Sequence, residues 1–243
     1  MRYLSRVDLE MIGLRIISAY KRLPAVTDAP LERVDIDYLM QSLLGLRIDY
    51  RHLSPYRDKL GLTSMSEIGI EVFPSAAAKE EDSFYMLDGK TILIEEDLIR
   101  EGSNIGRRNY TVSHEGCHHI LKRLFPRDYG VQTKNRTVHC YYRRKRSSYD
   151  WEEWQVETLA GIVLLPQECL TRNMVRFGLG SQMRLLNRVF APVEYQRFVD
   201  MACFMGVSKM ALSIRMTQLG LIRRNDLTDP YALVRIEKDT EED

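Results

Sequence analysis

The stretch that decides the predicted fold is residues 113–119, SHEGCHH, which contains the pattern HExxH as His114, Glu115 and His118. On a helix, residues four positions apart share one face, so both imidazoles can reach a single metal ion. Glu115 projects beside that ion, where its carboxylate can hold and deprotonate a metal-bound water. The apolar residues around the motif predict a buried helix over residues 104–124. The alternative is a core helix whose polar side chains are satisfied by hydrogen bonds.

A catalytic zinc ion needs a third protein ligand, which the sequence offers downstream of the motif. A histidine six residues after His118 is ruled out because a leucine stands there, and no cysteine precedes the motif. A helix predicted over residues 150–165 begins DWEEWQVE, with Glu153 and Glu157 one turn apart on one face. One of these carboxylates can bind the ion while the other orients a ligand histidine. Glu152 fits best as an acid at a solvated helix start.

The composition is that of an ordinary folded protein. Of 243 residues, 44% are hydrophobic and 28% are charged, and the formal net charge is +1. These values exclude disordered and collagen-like classes and do not favour a whole-chain electrostatic grip on nucleic acid. No apolar run approaches the roughly 18 residues of a membrane span, and charges interrupt the N-terminal stretch where a secretion signal would lie. The four scattered cysteines form no CxxC pair, so we expect a cytoplasmic protein.

Periodicity and turn residues predict the elements of the N-terminal half. Asp8 is expected to cap a helix over residues 7–22, and a second helix follows Asp35. A strand over residues 84–87 is joined by an Asp-Gly turn to a strand over residues 91–94, which predicts a hairpin. Two further strands are predicted over residues 46–53 and 68–73.

Downstream, residues 127–150 are polar and basic and are predicted as a solvated loop or hairpin. A short helix is predicted over residues 180–190. Residues 192–221 read as a helical pair in a helix-turn-helix pattern, in which Gly206 permits the turn and Ser208 caps the second helix. The pair either reads DNA or packs on the rest of the chain, and the near-neutral net charge favours packing. The polar side chains available for DNA would be Lys209, Ser213, Arg215, Thr217 and Gln218.

Three blocks of the sequence are similar to motifs of the ImmA/IrrE family of metallopeptidases. Residues 109–121, NYTVSHEGCHHIL, resemble that family's F-T-(I/L)-A-H-E-L-G-H segment. Residues 153–166, EWQVETLAGIVLLP, and residues 205–222, MGVSKMALSIRMTQLGLI, resemble its two later blocks, in the same order. The chain departs from the family at Cys117, which stands where the family has glycine, and at Glu157, which stands where it has asparagine.

The resemblance implies an α+β fold with a zincin-like metallopeptidase domain over residues 1–180, built from a small twisted β-sheet and the HExxH helix. A helix-turn-helix-like segment over residues 181–226 would pack on it, followed by an acidic tail over residues 227–243. The implied function is that of a zinc-dependent intracellular endopeptidase that cleaves a helix-turn-helix repressor, as in the regulation of mobile elements. The alternative is a catalytically silent regulator that binds DNA or a repressor through residues 192–222.

The resemblance also implies the roles of the site residues. One zinc ion per chain would be held by His114, His118 and Glu153, and Glu115 would be the catalytic glutamate. A donor must also stabilise the oxyanion of the reaction. The candidates are Tyr110, His139, Tyr141 and Tyr142. We expect residues 127–150 to border the cleft and to contact the protein substrate through basic and tyrosine side chains. These are Tyr129, Lys134, Arg136, Tyr141, Tyr142, Arg143, Arg144, Lys145 and Arg146.

Overall fold

The chain has an α+β architecture, as the sequence predicts. The computed structural model describes residues 3–73, 83–129, 138–142 and 150–234. The helices are α1 (Arg6–Tyr20), α2 (Ile36–Tyr38, continued by a π-helical turn over Leu39–Leu43), α3 (Ile105–Leu124), α4 (Trp151–Leu164), α5 (Gln167–Arg176), α6 (Pro192–Met205) and α7 (Lys209–Gln218). The strands are β1 (Arg47–Arg51), β2 (Lys59–Ser64), β3 (Glu67–Glu71), β4 (Phe84–Asp88), β5 (Thr91–Glu95), β6 (Val138–Tyr142), β7 (Met183–Leu186) and β8 (Ile222–Asn225). Within these described ranges, no helix is long and apolar enough to cross a membrane.

A mixed four-stranded sheet, in the order β1-β5-β2-β6, supports the candidate site. β5 is buried along its whole length and pairs parallel with β1 and antiparallel with β2. β2 pairs in turn with β6, which ends the sheet. Leu62 and Leu93 belong to a small apolar cluster shared with the β3–β4 ribbon. Helix α3 contacts β2, β5 and β6, so the sheet holds the HExxH helix in place.

The predicted hairpin between residues 84–87 and 91–94 is wrong. β4 pairs with β3 in a separate two-stranded ribbon, whereas β5 enters the main sheet. Gly89 does turn the chain, with a φ of 74°. The two strands differ in burial, however, because Phe84 and Met86 are exposed while β5 is fully buried. A buried strand needs hydrogen-bond partners on both sides, and β1 and β2 already provide them.

The short helix predicted over residues 180–190 is wrong, because Met183–Leu186 of this segment form the strand β7, which pairs in parallel with β8. Met183 and Leu186 are both buried in the core, and their spacing is compatible with one face of a helix. The chain nevertheless enters this segment through two glycines in the left-handed region, Gly178 and Gly180, each with a φ of 68°. This backbone conformation ends helix α5 and favours an extended segment after it.

Part of the segment predicted as a solvated loop or hairpin is the strand β6, which joins the main sheet through β2. Tyr129 is not available to a partner, because it is buried and its hydroxyl donates to Oε1 of Gln155 over 2.8 Å. The basic side chains predicted to contact the substrate lie outside the described residues. They are Lys134, Arg136, Arg143, Arg144, Lys145 and Arg146. The end of the predicted acidic tail, residues 235–243, lies outside them as well.

The helices predicted over residues 104–124 and 150–165 are present as α3 and α4, whereas the predicted cap of helix α1 is wrong. Asn104 caps α3 and Asp150 caps α4, each through its side chain, so both helix predictions are confirmed. Helix α1, however, is capped by Ser5 rather than by Asp8. Ser5 accepts a hydrogen bond from the backbone N–H of Asp8 over 3.2 Å, and the Asp8 carboxylate accepts one in return from the Ser5 N–H over 2.9 Å. This capping box makes Asp8 the third helical residue.

Helices α6 and α7 form the predicted pair. Gly206 ends α6 with a φ of 65°, and the side chain of Ser208 caps α7. The expectation that the polar side chains of α7 are available to DNA is wrong for two of them, because Ser213 and Arg215 are buried. The guanidinium of Arg215 donates to both carboxylate oxygens of Glu10 on α1. Arg215 therefore ties α7 to the first helix of the chain.

The turn between α6 and α7 packs closely on the first turns of α3. A β-carbon on Gly106 would lie 2.3 Å from the backbone of Val207 and Ser208, so only glycine permits this approach. The side-chain amide of Asn109 donates to the carbonyl of Gly206 over 2.9 Å. One apolar core includes residues of α1, α3, α4, α6 and α7. The helical pair is thereby fixed against the helix that carries the HExxH residues.

Candidate metal centre

Helix α3 carries the HExxH residues through the interior of the molecule. Every residue from 111 to 121 is buried, because α4 covers one side of the helix and the sheet covers the other. Ser113 is satisfied there, since its hydroxyl donates to the carbonyl of Ala160 over 3.0 Å. Polar side chains in such surroundings are costly unless they have partners.

His114, His118 and Glu153 bring three potential ligand atoms within 4.8 Å of one another. Nε2 of His114 lies 3.3 Å from Oε2 of Glu153, and Nε2 of His118 lies 3.6 Å from its Oε1. Both imidazoles are almost fully buried, whereas 33% of the Glu153 side chain is exposed. The group therefore has a buried side made by α3 and an accessible side made by α4.

The ring nitrogens of both histidines are buried and make no hydrogen bond to any described residue. For these two histidines, this finding disfavours the alternative of a core helix whose polar side chains are satisfied by hydrogen bonds. Buried imidazoles without hydrogen-bond partners are costly, and metal coordination removes that cost. Two imidazole nitrogens and a carboxylate are also a donor set that zinc accepts. The residues present can therefore hold a metal ion.

Glu115 lies beside this group, completely buried, with neither carboxylate oxygen hydrogen-bonded among the described residues. Burial raises the pKa of Glu115 well above its usual value, and the nearby charge of Glu153 raises the pKa further. The space for this side chain is left by Gly61 of β2, where a β-carbon would lie 2.6 Å from Oε1 of Glu115. Sequence analysis does not single out Gly61, although an isolated glycine in a strand signals close approach of another group.

Strand β6 adds two rings to the site. The ring of Tyr141 lies over that of His114 with centroids 4.3 Å apart, and the ring of His139 lies over that of His118 with centroids 4.1 Å apart. Burial raises the pKa of the Tyr141 phenol to about 12, so it is a hydrogen-bond donor at neutral pH. Tyr142 follows on the opposite face of the strand.

Of the four predicted oxyanion donors, the structure brings His139 and Tyr141 next to the ligand group. The Tyr110 hydroxyl is engaged elsewhere, since it donates to the backbone carbonyl of Glu157 over 3.1 Å. Tyr142 points to the other face of its strand. The candidate oxyanion donors are therefore His139 and Tyr141.

The acidic residues of α4 differ from the sequence prediction in which of them lie beside the histidines. Within the described part of the chain, Glu157 belongs to no three-residue group of potential ligands. Glu153 belongs to one with His114 and His118, and Glu152 belongs to a second one with His118 and His139. Glu152, expected at a solvated helix start, has only 20% of its side chain exposed and faces two histidines. Its Oε1 lies 3.9 Å from Nδ1 of His118 and 3.8 Å from Nδ1 of His139.

Two further residues of the motif are used by the fold. Nε2 of His119 lies 2.7 Å from Oγ1 of Thr63 on β2, so this buried imidazole has a hydrogen-bond partner outside the ligand group. Burial lowers the pKa of His119 to about 4, which keeps the ring neutral. Cys117 is buried, and burial raises the pKa of its thiol, which makes it an inert apolar side chain.

A separate group of His52, Glu95 and Asp97 could also be considered for a metal. The polar atoms of His52 and Glu95 are already engaged, because Nδ1 of His52 lies 2.6 Å from Oε1 of Glu95, and the other oxygen of Glu95 accepts the N–H of Leu53 over 2.9 Å. Arg100 donates to Nε2 of His52 over 3.2 Å and pairs with Asp97 over 2.7 Å. A guanidinium at this position opposes a bound cation, so the group is a structural network.

No protein-family model matches the chain, and no curated protein matches it either. The capacity of this centre to hold a metal rests on the three ligand residues and on their unsatisfied nitrogens.

Proposed function

We propose that the chain is a zinc-dependent endopeptidase that works at this centre. The observation that carries the proposal is the convergence of His114, His118 and Glu153 within 4.8 Å, next to the buried carboxylate of Glu115. Three protein ligands of this kind leave one coordination position for the reaction, as in catalytic zinc sites. The exposed side of Glu153 provides the direction from which a peptide can approach.

The chemistry divides between the ion and the side chains. A bound zinc ion supplies Lewis-acid chemistry, in which water becomes more acidic and the scissile carbonyl is polarised. The positive charge of a bound ion would offset the effect of burial and of Glu153 on the pKa of Glu115, so that its carboxylate would accept the proton of the attacking water and pass it to the leaving amine. Its burial excludes competing solvent, and Gly61 leaves the room that its carboxylate needs.

Tyr141 is the donor that we assign to the oxyanion. Its ring lies against His114, which brings the phenol to the ligand group, and its hydroxyl stays protonated at neutral pH. A preorganised donor at the developing negative charge contributes a large share of hydrolytic catalysis.

The substrate that we propose is a helix-turn-helix repressor, which the enzyme would cleave in the cytoplasm. The similarity of three sequence blocks to ImmA/IrrE metallopeptidases supports it. An intracellular peptidase must also avoid digesting its own cell, so selectivity has to come from docking of a partner. Met210 and Ile214 lie one turn apart on α7 with 45% and 48% of their surface exposed, which provides an apolar contact for such a partner.

Metal analysis of the purified chain, combined with co-expression of candidate repressors, tests the proposal. We expect one zinc ion per chain and the appearance of two repressor fragments. The matched control is Glu115→Gln, which keeps the shape of the side chain but removes the base. It should keep its zinc while cleavage falls by about 10²–10⁴-fold. A parent chain without zinc, or undiminished cleavage by the Glu115→Gln variant, would contradict the proposal.

The alternative of a silent regulator predicts a different result in the same samples. Such a protein would bind an operator or a repressor through residues 192–222 and leave the repressor intact. Specific DNA binding would weaken steeply with salt, because phosphate contacts release counterions. Weak digestion of an unfolded casein-like protein, beside efficient cleavage of one repressor, would instead support the docked peptidase.

A further inference from the structure

One carboxylate oxygen of helix α4 faces two stacked imidazoles. Oε1 of Glu152 lies 3.9 Å from Nδ1 of His118 on α3 and 3.8 Å from Nδ1 of His139 on β6. The two rings are 4.1 Å apart and only 31° from parallel. Glu152 thus stands where three elements of the site meet.

The two nitrogens of His118 face different carboxylates. Nε2 faces Glu153, at 3.6 Å, whereas Nδ1 faces Glu152. A neutral imidazole carries its proton on one nitrogen and offers a lone pair on the other. If Nε2 binds the ion, Nδ1 must carry the proton and needs an acceptor. Among the described residues, Nδ1 of His118 has no hydrogen-bond partner, and the carboxylate in front of it is Glu152.

We propose that Glu152 is a positioning residue of the metal centre. It accepts the Nδ1–H of His118 and thereby fixes the ring so that Nε2 is the metal ligand. The same oxygen, Oε1, lies 3.8 Å from Nδ1 of His139 and keeps that ring stacked on His118. The inference rests on the proposed zinc site and adds a residue that orients a ligand without binding the ion.

General metalloprotein chemistry supports this role. Ligand histidines usually donate their second N–H to a carboxylate or carbonyl, which fixes the tautomer and strengthens the ligand. The side chain of Glu152 is 20% exposed, far less than expected for an acid that only complements a helix dipole. The neighbouring Glu153 faces Nε2 of His118, so two consecutive glutamates face the two nitrogens of this histidine.

The variants Glu152→Ala and Glu152→Gln test the proposal, with Glu157→Gln as the control. The control also removes one charge from α4 but lies outside the ligand group. Zinc affinity is measured by competition with a chromophoric chelator, and the thermal midpoint of the metal-free protein is measured for each variant. We expect Glu152→Ala to weaken zinc binding by about 10–100-fold, with the metal-free midpoint close to that of Glu157→Gln. Glu152→Gln keeps an acceptor oxygen, so its loss should be smaller.

A second readout reports the tautomer directly. The chain has five histidines, so their ring nitrogens can be resolved by long-range ¹H–¹⁵N NMR of the zinc-loaded protein. We expect His118 to carry its proton on Nδ1 in the parent and this signal to shift in Glu152→Gln.

Three results would contradict the proposed zinc site or the role of Glu152, and they can be told apart. A parent chain that binds no zinc removes both the proposed function and this inference. A parent that binds zinc with an affinity unchanged in Glu152→Ala removes only the inference. Two ions per parent chain, one of them lost in Glu152→Ala, would make Glu152 a ligand of a second ion rather than a positioning residue.

Discussion

Nε2 of His114 and Oε2 of Glu153 face each other across two helices at a distance of 3.3 Å. The histidine is held by α3, whose surroundings are buried, and the glutamate stands in the first turn of α4. Because α3 and α4 pack along one another, both side chains are held by helices and neither is held by a loop. Ligands on rigid helices keep their geometry when the ion is absent, which suits a preformed site.

Substitution of Glu153 tests the ligand set. We expect Glu153→Ala to lower the zinc content of the purified chain strongly, since His114 and His118 would lose the carboxylate that faces both of them. Glu157→Ala should retain zinc near the parent level, because Glu157 lies outside the ligand group. The measurement is zinc per chain after dialysis against a weak chelator. Equal zinc retention by Glu153→Ala and the parent would remove Glu153 from the ligand set.

Gly61 provides a test of the space around the base. A β-carbon at this position would lie 2.6 Å from Oε1 of Glu115 and 2.6 Å from Cγ2 of Thr111. We expect Gly61→Ala to displace the Glu115 carboxylate, to cost about 1–3 kcal/mol of unfolding free energy through overpacking, and to reduce hydrolysis while zinc stays bound. Activity, zinc content and chemical denaturation are measured on the same preparation.

Gly69→Ala is the matched control for that substitution. It also places a methyl group in a strand, but there the nearest atom is Sδ of Met86 at 3.1 Å, the end of a flexible side chain. We expect activity near the parent level. If Gly61→Ala and Gly69→Ala behave alike in hydrolysis, Gly61 has no special relation to the base.

The helices of the site could be predicted from the sequence because their signals are local. Asn104 and Asp150 are strong N-caps, and the spacing of His114 and His118 places both on one face of a helix. The strands depend on long-range pairing. β2 escapes prediction because Gly61 interrupts its apolar residues, although its centre is buried between β5 and β6.

The role of Glu152 could not be predicted for a similar reason. In the sequence it is one of several acids at a helix start, where any carboxylate is favourable. Only the position of β6, which follows a segment with no clean periodicity, brings His139 beside His118 and turns both Nδ1 atoms toward Glu152. Contacts between residues distant in sequence leave no trace in spacing.

Tyr141→Phe tests the oxyanion donor. Removal of the hydroxyl leaves the ring that packs on His114, so we expect zinc content and stability to stay near the parent values. Turnover should fall by about 10²–10³-fold with little change in KM, because the donor acts on charge that develops during reaction. Tyr110→Phe is the control, since its hydroxyl is bound to a backbone carbonyl of α4. A Tyr141→Phe variant with full turnover would assign the oxyanion to another donor.

The last prediction concerns the pair formed by Arg215 and Glu10. Arg215 is 3% exposed and donates to both oxygens of the Glu10 carboxylate, so its charge is almost wholly removed from water. Truncation of one partner of a buried ion pair costs about 3–5 kcal/mol of unfolding free energy. We expect the loss in Arg215→Ala to be at the lower end of this range or below it, since 35% of the Glu10 side chain is exposed.

Lys209→Ala is the control for the Arg215 substitution, because Lys209 lies on the exposed side of the same helix. Chemical denaturation should show a stability loss for Arg215→Ala and almost none for Lys209→Ala. A base-reading arginine would give the opposite pattern, with lower affinity for an operator at unchanged stability. Lower operator affinity at unchanged stability would mean that α7 moves away from α1 to bind DNA. The predicted pattern means that Arg215 holds the helical pair against α1, where only the outer face of α7 remains available for a partner.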